Sequence, residues 1–325
     1  MVQNTWFDAR SWSKPYITGW ERYSLEIGRR LLALGVIDAW EPRVENKIKL
    51  LKSDFAAFKV SEDFAVAHFP TYPPIKRAHA KKQVFTLHDL TWWRFPETAS
   101  FLGKNYYRKH AQKAIKQSDA IIVPSRAIAR EMIDEFKVNE NLIHVIQHGN
   151  SLPKENIKEF KNAKPYFLSI GTIEPRKNLD AYAKAIAKSG LAKTHDFIHV
   201  GRDAWGTLPK EFKRIKATLD KELAALVQGA VALVMPSVYE GFGLPMLEAH
   251  ALGTPVIANS IEALKELQLK EDVFVNCSVT DEFAEVLKIW AKEPQKLSET
   301  SVSQSQLLNW DLATKQHQQL YESLK

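Results

Sequence analysis

The sequence predicts an α/β fold made of two doubly wound parallel-sheet domains. Three observations predict it. Short apolar runs alternate with amphipathic stretches along the whole chain, the signature of strands alternating with helices. The runs fall into two series, separated by the polar, lysine-rich stretch GNSLPKENIKEFKNAKP at 149–165. The 325 residues suit about two ordinary domains, and 45% apolar content is enough for two cores. Strands that alternate with helices form parallel sheets covered on both faces.

In chain order, the first series of strands is NTWFDA, KIKLL, FAVAHF, QVFTLHD, AIIVPS and IHVIQHG. The second is YFLSIG, FIHVG, VALVMP, PVIAN and DVFVN. Helices are expected at about 20–34, 103–117, 125–136, 178–189, 220–228, 244–252, 281–292 and 310–323. Gly19 precedes the first, Ser125 is an N-cap, and Asn178 opens another. Pro245 suits a first helical turn, where its missing N–H has no partner to lose, and Gly253-Thr254-Pro255 stops that helix. Between Gly206 and Lys221 no strand is expected. These signals place an N-terminal domain at 1–152, a second domain at 160–305, a ligand cleft between them, and an amphipathic terminal helix at 310–325.

Composition narrows the function classes. The net charge is +7 with a pI near 9.2, carried by clusters such as Lys76-Arg77, Lys81-Lys82 and the Lys154–Lys164 segment. No nucleic-acid module is readable, so nucleic acid is not an expected partner. Solvated lysine faces account for most of the charge, and phosphorylated substrates or an anionic membrane surface are compatible with the rest. No apolar stretch is long enough to span a bilayer, and MVQNTWFDARSW lacks the signal-peptide pattern. The expectation is a soluble cytoplasmic protein, with peripheral contact at the inner membrane surface as a further option. Cys277, the single cysteine, sits in VFVNCSV and reads as a small buried apolar residue. There is no Asp-x-Asp, HExxH or paired-cysteine spacing, so no metal is expected.

Three stretches carry the chemistry. In MPSVYEGFGLPMLEAHALGTPVIANS, a strand, a glycine loop, a helix and a second strand follow one another. That order sets Glu240 in a loop at a strand's carboxyl end and Glu248 one turn into the helix, where open α/β sheets bind ligands. A carboxylate there can accept from ligand hydroxyls, and helix-start N–H groups can hold phosphate. The plainer alternative is two solvated glutamates. YFLSIGTIEPRKNL puts Arg176 and Lys177 between a strand end and a helix start, placed to neutralise a diphosphate, Arg176 as a planar fork and Lys177 as a point charge. TLHDLTWWRFPE puts His88-Asp89 at a strand end; Asp89 could orient the imidazole or accept a proton, and Trp92 and Trp93 fill core or stack on an acceptor.

EGFGLPMLEAHALGTPVIAN and EPRKN resemble the retaining GT-B glycosyltransferases of family four, in which two Rossmann-like domains face each other across a cleft. The likeness runs over nearly the whole chain and is most specific at those two motifs. It implies a metal-independent hexosyltransferase with no cofactor, a nucleoside diphosphate sugar as donor and a glycan or lipid-linked acceptor, with GDP-mannose as the donor by general likeness. The resemblance assigns Arg176 and Lys177 to the leaving diphosphate, Glu240 to the sugar, Glu248 to the ribose, and His88 with Asp89 to the reacting centre. Gly19, Gly171, Gly201, Gly241, Phe242, Gly243 and Leu244 become donor-binding positions. The family's terminal helix crosses back to the first domain. Two positions depart from the pattern: Glu21 stands where a second glycine is usual, and Ala204 replaces a glycine in HVGRDAWG. A non-catalytic nucleotide-sugar-binding subunit and a nucleotide-sugar epimerase are the rival classes.

Overall fold

A computed structural model describes residues 5–13, 18–42, 53, 64–98, 101–217 and 219–325. The chain divides into two compact units, Met1–Gly149 with Leu308–Lys325, and Asn150–Leu307. The expected strand KIKLL lies outside the described residues.

Unit one holds six parallel strands: β1 (Thr5–Asp8), β2 (Ile37–Trp40), β3 (Val66–Phe69), β4 (Lys82–Thr86), β5 (Ala120–Val123) and β6 (Ile143–Val145). Their order is β2-β1-β3-β4-β5-β6. Strands β1, β3 and β5 are buried at every position, and β5, AIIV, accordingly reads as an unbroken apolar run, while β1 and β3 also bury the polar residues Thr5, Asp8 and His68. The sequence reading missed β2, because as an edge strand it is only partly covered and its IDAW lacks a strong apolar run.

Helix α1 (Gly19–Ala33) starts with a capping box, in which Glu21 Oε2 accepts from the Thr18 backbone N–H at 3.0 Å and also from the Thr18 hydroxyl. The glutamate that departs from the family's glycine thus satisfies its own helix start. The next helices are α2 (Thr91–Arg94), α3 (Phe101–Gln117) and α4 (Arg126–Phe136). Ser125 caps α4, its Oγ accepting from Ile128 N at 3.2 Å.

The last helix, α11 (Trp310–Leu324), packs on α1 within the same unit. A side-chain Cβ at Gly149 would lie 2.2 Å from the Trp310 backbone nitrogen, so only glycine admits the start of α11 there. A buried hydrogen-bond chain ties α11 to the sheet, and its direction follows from its fixed end. The Ala313 carbonyl can only accept, so His317 Nδ1–H donates to it (2.7 Å) and Nε2 accepts from Tyr23 OH (2.6 Å). Thr86 then donates to Tyr23 (3.0 Å), His68 Nε2–H donates to Thr86 (2.7 Å), and Tyr321 OH donates to His68 Nδ1 (2.6 Å).

Unit two repeats the plan. Its strands are β7 (Tyr166–Ile170), β8 (Asp196–Val200), β9 (Lys213–Arg214), β10 (Ala232–Met235), β11 (Val256–Asn259) and β12 (Val273–Val275), ordered β12-β11-β10-β7-β8-β9. Its helices are α5 (Leu179–Ser189), α6 (Asp220–Gln228), α7 (Leu244–Ala251), α8 (Glu262–Lys265), α9 (Thr280–Lys292) and α10 (Glu299–Ser305). Strand β9 corrects the expectation of no strand between 206 and 221. It is a two-residue edge of exposed Lys213 and Arg214, so no apolar run announces it. The core stacks Phe167 on Phe197 (5.5 Å) and Tyr182 on Phe283 (5.2 Å), and buries Cys277 completely. Burial pushes the Cys277 thiol up to about 12, which keeps it protonated and inert. Among the described residues, no helix is long and apolar enough to cross a membrane.

Candidate active site

In unit two the chain runs β7, β8, β9 to one side and then returns to lay β10, β11 and β12 on the other. The order therefore reverses between β7 and β10, which pair in parallel with Leu233 opposite Leu168. Ligands of open α/β sheets bind outside the carboxyl ends at such a reversal. The two motifs singled out in the sequence follow these two strands.

After β7 the chain enters Gly171 at φ +142°, a conformation that side-chain-bearing residues rarely adopt, and Lys177 lies over it. Gly201 packs against the same point. A Cβ there would come within 1.7 Å of the Gly171 carbonyl oxygen, so close backbone approach accounts for this glycine. His199, which the sequence reading passed over, donates from Nε2 to that carbonyl at 3.0 Å while Ser169 Oγ donates to its Nδ1 at 2.8 Å. Burial lowers the His199 imidazole to about 4 and keeps it neutral in this role.

Pro175, Arg176 and Lys177 form one 3-10 turn. The proline holds Glu174 extended (φ −151°, ψ 155°), and Asn178 closes the turn at φ 54°. Two long-range bonds bind this turn to the segment after β10: Val238 N donates to the Arg176 carbonyl (2.8 Å) and Asn178 Nδ2 to the Pro236 carbonyl (3.2 Å). The result is a buried ionic cluster. Arg176 Nη1 donates to Glu240 Oε2 (3.0 Å) and the Tyr239 carbonyl (3.1 Å), Arg176 Nη2 meets Glu174 Oε1 (2.7 Å), and Lys177 Nζ meets Glu240 Oε1 (2.6 Å). Burial would raise the Glu240 carboxyl, but Lys177 and Arg176 outweigh it and hold it at about 2. The solvated alternative for Glu240 therefore fails: it is 8% exposed and ionised between two cations.

Gly241, Phe242 and Gly243 lead from Glu240 into α7. Phe242 is buried, and Gly243 caps the helix at φ 102°, where a Cβ would lie 2.5 Å from Leu264. Leu244 begins α7, and Glu248, one turn in, is 7% exposed. At the far end of α7, His250 Nε2 meets Asp272 Oδ2 at 3.0 Å. Asp272 also accepts from Val256 N and Leu269 N, and this anchors the helix that carries Glu248. Among the described residues no group of three His, Cys, Asp or Glu assembles as a metal site.

In unit one the order reverses between β1 and β3. His88 sits just past β4, and its Nε2–H donates to the Pro70 carbonyl beyond β3 at 2.7 Å. Pro70, not Asp89, orients the ring. Asp89 Oδ1 instead accepts from Thr91 N at 3.0 Å and turns the chain into α2. Trp20 stacks on His88 (5.5 Å), with Tyr23 edge-on (4.8 Å) and His148 at 5.8 Å. Burial, only partly offset by the Pro70 carbonyl, lowers the imidazole to about 4. His88 is thus neutral, with Nδ1 as a buried acceptor that has no hydrogen-bond partner among the described residues. Trp92 is buried against Trp93, Tyr107 and Phe136, and Arg108 lies 4.4 Å over Trp93; both tryptophans pack locally.

Sequence reading also missed Arg10. It follows β1, is fully buried, and grips Asp8 through Nε (2.8 Å) and Nη2 (2.6 Å), with Tyr72 5.3 Å beneath its guanidinium. The only local signal was a charged residue two positions after an aspartate at a strand end.

Comparison with known proteins places this geometry in a family. The profile described as "Glycosyl transferases group 1" matches residues 164–291, and "Glycosyltransferase Family 4" matches 39–152. The chain is 29% identical over 207 residues to the O-antigen chain mannosyltransferase RfbU of Salmonella typhimurium, covering 60% of this chain and 57% of that protein. It is 25% identical over 308 residues to O-antigen chain mannosyltransferase B of Escherichia coli, covering 77% and 81%. Its fold is that of sucrose-phosphate synthase from Thermosynechococcus elongatus (TM-score 0.75, 18% identity, 99% of both chains). It is also that of Anabaena Alr3699/HepE in complex with UDP and glucose (TM-score 0.72, 15% identity, 99% and 100%). The chain belongs to the group 1 glycosyltransferases of family four and has their GT-B fold of two Rossmann-like units.

Proposed function

We propose that this protein is a retaining, metal-independent transferase that moves a hexose from a nucleoside diphosphate sugar to a glycan or lipid-linked acceptor in surface polysaccharide synthesis. Mannose is the proposed sugar, because the relatives described above are named as O-antigen mannosyltransferases. The observation that carries the reading is the buried Arg176–Lys177–Glu240 cluster at the sheet reversal of unit two. Two cations held there supply the charge that a departing diphosphate requires, in the role a divalent ion fills elsewhere.

In this reading Lys177 and Arg176 stabilise the leaving diphosphate, Glu240 accepts from sugar hydroxyls, and Glu248 accepts from the ribose. The leaving phosphate assists the incoming hydroxyl on the same face of the sugar, which retains the anomeric configuration. His88, neutral and with an unprotonated, buried Nδ1, serves beside the reacting centre as a hydrogen-bond acceptor rather than as an acid. The enzyme would work at the cytoplasmic side of the membrane, in peripheral contact with it where its acceptor is lipid-linked.

Thermal-shift screening of nucleotide sugars identifies the donor, since a ligand at a hundred times its dissociation constant stabilises the fold by about 2.7 kcal/mol. With that donor and an acceptor, Arg176→Ala should lower turnover by roughly 10²–10³-fold, as loss of one donor to developing charge does elsewhere. Unchanged turnover would refute the assignment.

A further inference from the structure

Arg176 and Lys177 are not held in the same way. Among the described residues Lys177 pairs with Glu240 alone (2.6 Å), so any rotation of Glu240 toward a substrate hydroxyl releases its ammonium entirely. Arg176 has a second carboxylate, Glu174, on its other terminal nitrogen at 2.7 Å. Glu174 is 8% exposed and stands immediately before Pro175, whose ring confines it to the extended backbone observed. The 3-10 turn then brings Arg176 back beside it, with Lys177 N donating to the Glu174 carbonyl at 2.9 Å. One carboxylate on the guanidinium is therefore local and held by the proline-fixed turn, while Glu240, with the Tyr239 carbonyl beside it, arrives from a loop more than sixty residues away.

We propose that Glu174 is a positioning residue that keeps the Arg176 guanidinium fixed when Glu240 engages the substrate, leaving Lys177 as the mobile cation that follows the diphosphate. This rests on the transferase reading above. Glu174 meets Arg176 Nη2 at 2.7 Å, and in this proposal it acts on the transition state through the orientation of that guanidinium. A misplacement of about 1 Å in such a group costs up to 10²-fold in rate.

The experiment uses the full-length protein and the donor that the wild type turns over. Glu174→Gln removes the charge and keeps the side-chain length. The expected result is a kcat 10- to 100-fold lower, with the dissociation constant of the free nucleoside diphosphate, measured by calorimetry, unchanged or several-fold tighter, because one negative charge has left the cations. In an Arg176→Lys background the same change should have little further effect, as expected for a residue that works through the guanidinium. Unchanged kcat would overturn the proposal, as would a parallel loss of kcat and nucleotide affinity, or full additivity with Arg176→Lys. If Glu174→Gln does not fold, Glu174→Asp keeps the charge, shortens the arm and is read by the same two measurements. A wild type that transfers from no nucleotide sugar would instead defeat the transferase reading, so the two failures are distinguishable.

Discussion

Replacing Glu240 by glutamine tests the cluster most directly, because stability and binding should respond in opposite directions. The carboxyl is held at about 2 against an ordinary 4.5, even though burial alone would push it up. Holding the carboxyl that far below its ordinary value corresponds to about 3 kcal/mol favouring the ionised form in place. It falls at the lower edge of the 3–5 kcal/mol typical of breaking a buried ion pair. Glu240→Gln removes one of the carboxylates paired with Arg176, Glu174 being another, and takes the anion from Lys177. With about 2–4 °C lost per kcal/mol in a domain of this size, melting should fall by roughly 6–12 °C at pH 7. A nucleoside diphosphate supplies the missing negative charge, so it should raise the melting temperature more in the variant than in the wild type. Turnover of the nucleotide sugar should collapse in the same protein. Differential scanning fluorimetry with and without the nucleotide, followed by a transfer assay, measures all three. A variant as stable as the wild type, or one stabilised less by the nucleotide, would refute the reasoning that Glu240 neutralises two cations at a diphosphate site.

Two further outcomes follow from the same geometry. Unit one buries His68, His88, His148 and His317, and burial lowers all four, His88 and His317 to about 4. The unfolded chain takes up protons near 6.5 while the native state does not, so stability is full above that pH and falls as pH drops toward 4, by up to about 1.4 kcal/mol per unit for each histidine. Equilibrium unfolding from pH 7.5 to 5 should show this slope, and a flat profile would contradict a neutral buried network. Gly171→Ala forces a side chain into φ +142° with its Cβ 3.1 Å from Lys177 Cε, at a cost of about 1–3 kcal/mol. Its donor KM should rise as Lys177 is displaced, and an unaltered KM would separate this glycine from the site.

Both units and most of their strands were legible because parallel strands buried on both faces leave unbroken apolar runs such as AIIV and ALVM. The strands that escaped notice are those whose composition is set by exposure, the half-covered β2 and the charged two-residue β9. The short helices α2, α8 and α10 escaped for a different reason: at four to seven residues they are too brief to display a helical period. At the site, the residue types were readable but their partners were not. His88 was visible at its strand end, yet the carbonyl that fixes its tautomer belongs to Pro70, brought alongside by the β3–β4 pairing.

The sequence by itself determined the parallel architecture, the presence of two cations and one carboxylate, Glu240, in loops at strand ends, and a second carboxylate, Glu248, in the helix that follows. These depend on period, glycine and proline, all of which act within a few residues. Only the tertiary structure decided that Glu240 would lie against Arg176 and Lys177, that Glu174 would share the guanidinium, and that His88 would be neutral. Those facts follow from strand order, which brings the end of β7 beside the end of β10 across more than sixty residues, and from burial, which sets the protonation state of each group once its neighbours are fixed.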